Sequence, residues 1–272
     1  MASATYQARV LVLKRTKLGE TDCICTLLAE DGSQIRAVAK GARKPTSAFT
    51  SRLELFSVCD VLLARGKTLD IIKEARLIEG YPRLRQHLEL AEAASPLVEL
   101  LEKATVDNLE NTHLFPLTTK ALSYLNSETL SQETILTLTC AHLLKAVSFL
   151  GFKPQCRYCI GCGREVFDNQ APSQQFLSFS YLEGGVTCSN CSAEFETQKI
   201  ESSILQWGET LLYSTFEEIV TFTLTPYLQQ GLLRFLQSWI KIHVGYSLKS
   251  LTYIFSYGLQ TSSCEDTEKA LY

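Results

Sequence analysis

Groups on which enzymes depend are sparse in this sequence. The 272 residues include four histidines, His87, His113, His142 and His243. They are scattered over segments of helical pattern, so each reads as a boundary or surface residue and not as a general base. Gly66-Lys67-Thr68 lacks the earlier glycine that a phosphate-binding loop requires, because Val61 stands in its place; the step reads as a hairpin turn. No G-x-S-x-G, H-E-x-x-H or G-x-G-x-x-G occurs, nor an H-x-E paired with a cysteine couple. The expectation is a protein without a catalytic site of its own.

Long uninterrupted apolar runs are also missing. The most apolar late stretch, Leu232 to Phe255, is broken by Arg234, Lys241, His243 and Lys249, which are costly at the centre of a bilayer. The first residues, MASATYQARVLVLKR, show no basic segment leading into an apolar one and no small-residue cleavage site. No membrane span and no export are expected, which makes the expected location cytoplasmic. Internal repeats and low-complexity tracts are absent as well.

What is present is ordinary globular material, 46% hydrophobic and 20% charged, enough for about two domains at ~100–200 residues each. The net charge of −3 conceals an asymmetry. Residues 1–85 hold 15 Lys and Arg against 9 Asp and Glu, a balance of +6, while the rest hold 11 against 20, a balance of −9. A basic front and an acidic back imply different partners.

From Ala8 to Glu79 the pattern is of short β-rich runs separated by turn signals: ARVLVLKR, CICTLLAED, QIRAVAKGA, LELFSVCDVLLARG and TLDIIKEARLI. Five strands at this spacing predict a small barrel, with hairpin turns at Glu30-Asp31-Gly32 and Gly66-Lys67. After Tyr81-Pro82, apolar residues recur at three and four through LELAEAASPLVELLEKA, LFPLTTKALSYL and ETILTLTCAHLLKAVSFLG, which predicts a helical bundle. Gly151 and Pro154 end the third of these helices. Residues 154 to about 199 are rich in Gly, Ser, Asn and Cys and too poor in aliphatics to fold alone. Helical pattern then resumes through SSILQWGETLLYS and YLQQGLLRFLQSWIKIHV, so this cysteine module is inserted in the bundle. The expected class is α+β, with residues 1–80 a five-stranded barrel, residues 81–272 helical, and the module at about 154–199.

Five cysteines compete for a site in the module: Cys156, Cys159 and Cys162 in CRYCIGCG, and Cys188 and Cys191 in CSNC. In a reducing compartment two close pairs favour metal over disulfide. Tetrahedral zinc takes four thiolates, and a C-x2-C turn presents two of them to one ion. Gly163 directly after Cys162 relaxes such a turn, which selects Cys159, Cys162, Cys188 and Cys191. One structural zinc per chain ranks ahead of an empty site and of redox or iron–sulfur chemistry. With no histidine between Cys156 and Cys191, a catalytic zinc with an open position is disfavoured. Cys23, Cys25, Cys59, Cys140 and Cys264 read as packing or surface residues.

From Arg36 to Arg52 the chain carries five positive charges, Arg36, Lys40, Arg43, Lys44 and Arg52, and no acidic residue. The segment passes from a predicted strand into a Gly/Pro/Ser loop from which long cationic side chains reach a phosphate backbone. Lys14, Arg15 and Lys17 follow the first strand and extend the same surface. A barrel with a basic loop and aromatics nearby, here Phe49 and Phe56, is how oligonucleotide-binding folds hold single strands. The bland alternative places Phe56 in the core and makes the charges mere solvation, leaving a zinc-stabilised scaffold that binds only protein.

The order barrel, bundle and inserted four-cysteine module resembles the RecO family of bacterial recombination mediators over residues 6 to 255. The matching segments are Leu18-Gly19-Glu20-Thr21-Asp22, Ala39-Lys40-Gly41-Ala42-Arg43 with Lys44 and Ser47, and Leu53 with Phe56. They continue with Gly151-Phe152-Lys153-Pro154, Cys159-x2-Cys162-Gly163, Gly184-Gly185 ahead of Cys188-x2-Cys191, and Leu248-Lys249-Ser250. The family carries an apolar residue three places before its first ligand, so the resemblance makes Cys156 a departure and not a ligand. It implies that residues 1–80 are an oligonucleotide-binding-fold (OB-fold) barrel, in a repair and recombination mediator that binds single- and double-stranded DNA and anneals complementary strands. It also implies contact with the acidic C-terminal tail of single-stranded DNA-binding protein, cooperation with RecR, indirect action on RecA, and residence in the cytoplasm at the nucleoid.

Overall fold

The computed structural model describes residues 4–107, 110–128, 130–167 and 175–256, so Cys264 lies outside the described residues. Strands β1 (Thr5–Leu18), β2 (Asp22–Ala29), β3 (Gln34–Ala39), β4 (Val58–Ala64) and β5 (Asp70–Glu79) close into a barrel in the order β1-β2-β3-β5-β4. All its pairings are antiparallel except β3 with β5. This is the predicted OB-like barrel. The LELFSVCDVLLARG run is strand only from Val58; before it a short helix, α1 (Phe49–Arg52), packs Phe49 and Leu53 against the barrel interior. That interior mixes Val10, Val12, Leu27 and Leu63 with Ala29, Ala37, Ala39 and Ala75, the small and large alternation a narrow barrel requires.

Two features of the barrel bear on function. The β2–β3 turn places Gly32 at φ +87°, and Asn111 donates from its backbone N to Asp31 O at 2.8 Å. A Cβ on Gly32 would stand 2.1 Å from Asn111 O, so only glycine admits this clamp from the helical part. The register of β1 shifts between Val12 and Lys14, a bulge at Leu13. Without it Lys14 would face inward; with it Lys14 lies outside opposite Thr26, and Arg15 falls opposite buried Cys25.

Helices α2 (Arg83–Gln86), α3 (Leu88–Ala104), α4 (Leu114–Leu125) and α5 (Gln132–Phe149) follow, close to the predicted limits. The module then contributes a sheet in the order β7 (Gly185–Thr187), β6 (Phe176–Ser180), β8 (Gln198–Glu201). The chain returns to helix with α6 (Ser202–Tyr213), α7 (Phe216–Ile219), α8 (Pro226–His243) and α9 (Lys249–Ser256). One apolar core runs from the outer wall of the barrel (Leu11, Leu13, Leu28, Val58) through α3 and α5 to Phe179 and Val186 of the module. Phe179 meets Phe235 edge-on at 5.2 Å, and Trp239 Nε1 donates to Phe152 O at 2.8 Å, so α8 anchors the module's sheet and the segment that leads into it. Low aliphatic content is thus offset by aromatic packing on a neighbouring helix. No helix among the described residues is long and apolar enough to cross a membrane.

Two expectations are corrected here. His142 is neither boundary nor surface but fully buried, held within α5 against α4. Phe56, offered as an aromatic near a nucleic-acid surface, is 2% exposed in the core between barrel and helices.

Candidate metal centre and nucleic-acid interface

The two cysteine pairs sit on turns flanking the small sheet. Gly163, at φ +72°, donates from its backbone N to Cys159 O at 2.8 Å and closes the first turn. Cys191 N donates to Cys188 O at 3.1 Å in the second. The sulfurs of Cys159, Cys162, Cys188 and Cys191 all lie within 4.8 Å of one another, and those of Cys162 and Cys188 are 3.7 Å apart. A tetrahedral ion with metal–sulfur bonds of about 2.3 Å has sulfur–sulfur edges of about 3.8 Å, so the cluster can hold a metal ion.

The surroundings favour thiolate. Burial alone would raise the Cys159 thiol, but backbone N–H groups of Cys188, Cys162 and Gly161 outweigh it and bring it down to about 6. The Cys188 N–H stands 3.2 Å from its sulfur. Cys188 is lowered by the N–H of Cys191, whereas Cys191, hydrogen-bonded to the thiols of Cys188 and Cys162, is pushed up to about 12. Four crowded sulfurs cannot all ionise without a cation between them. Cys156 stands outside the cluster, 2% exposed in the apolar core, with its thiol raised to about 12 by burial. Cys23, Cys25, Cys59 and Cys140 are buried packing residues.

The basic residues do not form one uniform patch. Lys14, Thr26 and Arg36 line up across β1, β2 and β3 on the outer face, and Thr16, Ile24 and Val38 form the next row. Alternation along β3 keeps Arg36 outward and Ala37 and Ala39 buried. The loop after β3 folds back over the β1–β2 turn. Asp22 Oδ1 accepts from Gly41 N at 2.8 Å, Arg43 N donates to Thr21 O at 2.9 Å, and the Arg43 guanidinium donates to the carbonyls of Gly19 and Glu20 at 3.0 Å. The Asp22 carboxyl is lowered chiefly by the Gly41 N–H, with Lys40 and Lys44 adding to it.

Arg36, Lys40 and Lys44 are exposed and make no ion pair or side-chain hydrogen bond among the described residues. Lys14 is paired with Glu102 of α3 at 3.0 Å, and Arg15 with Glu54. Arg52 donates to Ala75 O at 3.0 Å and lies with Arg9, Lys73 and Arg76 in a groove beside β5, away from the Lys14–Arg36 row. Sequence reasoning missed Glu54 and Glu102, whose partners lie 39 and 88 residues away in the chain.

Residues 1–81 match the N-terminal family of recombination protein O, and residues 85–252 match its C-terminal family. The chain belongs to the RecO family. Among curated relatives, the DNA repair protein RecO of Alkaliphilus metalliredigens is 31% identical over 234 residues, 86% of this chain and 91% of that protein. That of Desulfitobacterium hafniense is 33% identical over 204 residues, 74% of this chain and 68% of the relative. That of Cutibacterium acnes is 33% identical over 193 residues, 69% and 74% of the two chains.

The helical part of this RecO-family chain holds a further concave surface that periodicity could not reveal. A groove of about 630 Å³ lies between α4, α5 and the α6–α7 connection, floored by Leu117, Phe149, Leu212 and Phe216. Lys120, Lys145 and Lys153 stand around it. Lys145 Nζ donates to Leu212 O at 2.6 Å, and burial lowers its pKa; Lys153 lies over the Tyr213 ring at 4.8 Å.

Proposed function

We propose that the protein is a DNA repair and recombination mediator that works by holding nucleic acid on the β1–β2–β3 face and its basic loop. In this reading residues 1–80 are the nucleic-acid-binding domain, and residues 81–272 carry the partner surfaces around the zinc module at about 154–199. The observation that carries the reading is the set of uncommitted cations Arg36 on β3 and Lys40 and Lys44 on the following loop, which Asp22 and Arg43 hold in shape. Such side chains bind phosphate without reading sequence, so both single- and double-stranded DNA are accepted. Annealing then needs no chemistry, only charge neutralisation and two strands at high local concentration. Family membership supports joint action with RecR in loading RecA onto DNA coated with single-stranded DNA-binding protein, in the cytoplasm at the nucleoid.

The apolar groove suits that protein's acidic C-terminal tail, since Lys145 and Lys153 offer positive charge beside an apolar floor, and Lys120 stands at the rim paired with Glu217 at 2.8 Å. The four cysteines suit one structural zinc, because an all-thiolate set leaves no open position for substrate.

The test is a salt titration of single-stranded DNA binding. Phosphate contacts make log K fall with log salt by about 0.7 per neutralised phosphate. Replacing Arg36, Lys40 and Lys44 with Ala should flatten the slope by about 2 and weaken all sequences alike. A parent chain with no salt-dependent binding, or a variant indistinguishable from the parent, would move the protein-only scaffold ahead.

A further inference from the structure

A cleft of about 520 Å³ opens where the barrel meets the bundle, bounded by Lys14 and Arg15 on one side and by Lys103, Tyr246 and Lys249 on the other. Tyr246 lies on the α8–α9 connection with 48% of its surface exposed, and Lys103 Nζ stands 5.4 Å from the centre of its ring. The carboxylates of the cleft are already committed. Glu99 accepts the backbone N–H groups of Lys249 and Ser250 at 2.9 and 2.8 Å, together with the Ser250 hydroxyl. Glu102 accepts Lys14 and Lys103, each at 3.0 Å, and so sets two ammonium groups side by side. An ammonium has three donors, and one carboxylate contact leaves others for a phosphate.

Lys14 belongs to two surfaces at once. It heads the row Lys14–Thr26–Arg36 across the barrel face, and it also lines the cleft. A chain lying along that row is therefore led into the cleft, where a flat exposed ring stands among cations. Base faces stack on aromatic rings while the backbone follows positive charge, whatever the sequence.

We propose that a single strand of nucleic acid continues from the barrel face into the barrel–bundle cleft, with its phosphates on Lys14, Lys103 and Lys249 and a base stacked on Tyr246. This rests on the DNA-binding reading above and extends the binding surface beyond residues 1–80.

The test compares the full-length parent with Tyr246→Leu and with Lys249→Gln, both exposed positions, by fluorescence anisotropy on oligothymidylates. The lengths run from about 4 to about 30 nucleotides, to exceed the 4–16 that one OB fold holds. Loss of one stacked base should weaken binding of the long oligomers by about five-fold or more. The shortest oligomers that bind should be unaffected. Lys249→Gln should lower the salt slope for long oligomers by about 0.7. If both variants match the parent at every length while replacement of Arg36, Lys40 and Lys44 weakens binding, the cleft is not on the path and the barrel reading stands. If the parent does not bind oligothymidylate at any length, both readings fall together.

Discussion

Replacing His142 should change how stability responds to acid, and the size of the change follows from three hydrogen-bonding facts. Thr118 Oγ1 has a single proton, which it gives to Leu114 O at 2.8 Å. The contact of 2.9 Å between Thr118 Oγ1 and His142 Nε2 must therefore have the imidazole as donor. That fixes the neutral tautomer with its proton on Nε2, and leaves Nδ1 buried without a partner among the described residues. Charging the ring would place a second N–H and a full charge in an apolar core, so burial pulls the pKa down from about 6.5 to about 3.

Between these two values the unfolded chain holds a proton that the folded chain refuses, so stability rises with pH through the window and is lost on acidification. The slope approaches about 1.4 kcal/mol per pH unit once the pH is well below 6.5, which amounts to roughly 2 kcal/mol between pH 6.5 and 4.5. Above about 6.5 the ring is neutral in both states and the contribution is flat. His142→Leu removes the titrating group while Thr118 keeps its bond to Leu114 O, so no donor is orphaned. Urea unfolding of parent and variant across this range should give curves that diverge as pH falls, the parent weakening faster. Carboxylates such as Asp60, held near 2 by hydrogen bonds from Arg9 and Arg76, lose their contribution at lower pH and are common to both chains. A stability difference that stays constant from pH 7 to 4.5 would refute the burial argument, because a group that titrates alike in both states contributes no slope.

Metal analysis of protein purified without chelator should find close to one zinc per chain, and Cys188→Ser should lower thermal stability, since such a site can contribute on the order of 10 kcal/mol to local folding. Absence of metal would defeat the centre, and an intact site in Cys159→Ser would bring Cys156 in as a ligand. A fluorescent peptide carrying the acidic tail of single-stranded DNA-binding protein should bind the parent, and Lys120→Glu with Lys153→Glu should weaken it about ten-fold or more through charge reversal at the rim. Unchanged peptide affinity would place the tail on another face.

The parts of this molecule that local rules govern were open to reading. Gly32 marks a turn because only glycine tolerates its backbone there, and the limits of α3 and α4 follow from apolar spacing that neighbouring residues alone determine. The four clustered cysteines fall in the same group, since each C-x2-C turn is set by its own few residues. What stayed hidden depends on who meets whom across the fold. Helical spacing says that His142 lies on an apolar stretch, but only the arrival of α4 decides that it is sealed against Thr118.

The basic residues show why charge counting in a sequence overstates a binding surface. Lys14 and Arg15 are adjacent and carry the same charge, and either could be credited with reaching phosphate. One extra residue at Leu13 gives them different fates: Lys14 stays on the outer face, while Arg15 turns toward buried Cys25 and pairs with Glu54, leaving its side chain 22% exposed. A bulge has no strong sequence signature because it relieves a mismatch between two strands and not a preference within one. It nevertheless decides which of the two cations stays on the outer face, at the point where the barrel face opens into the cleft.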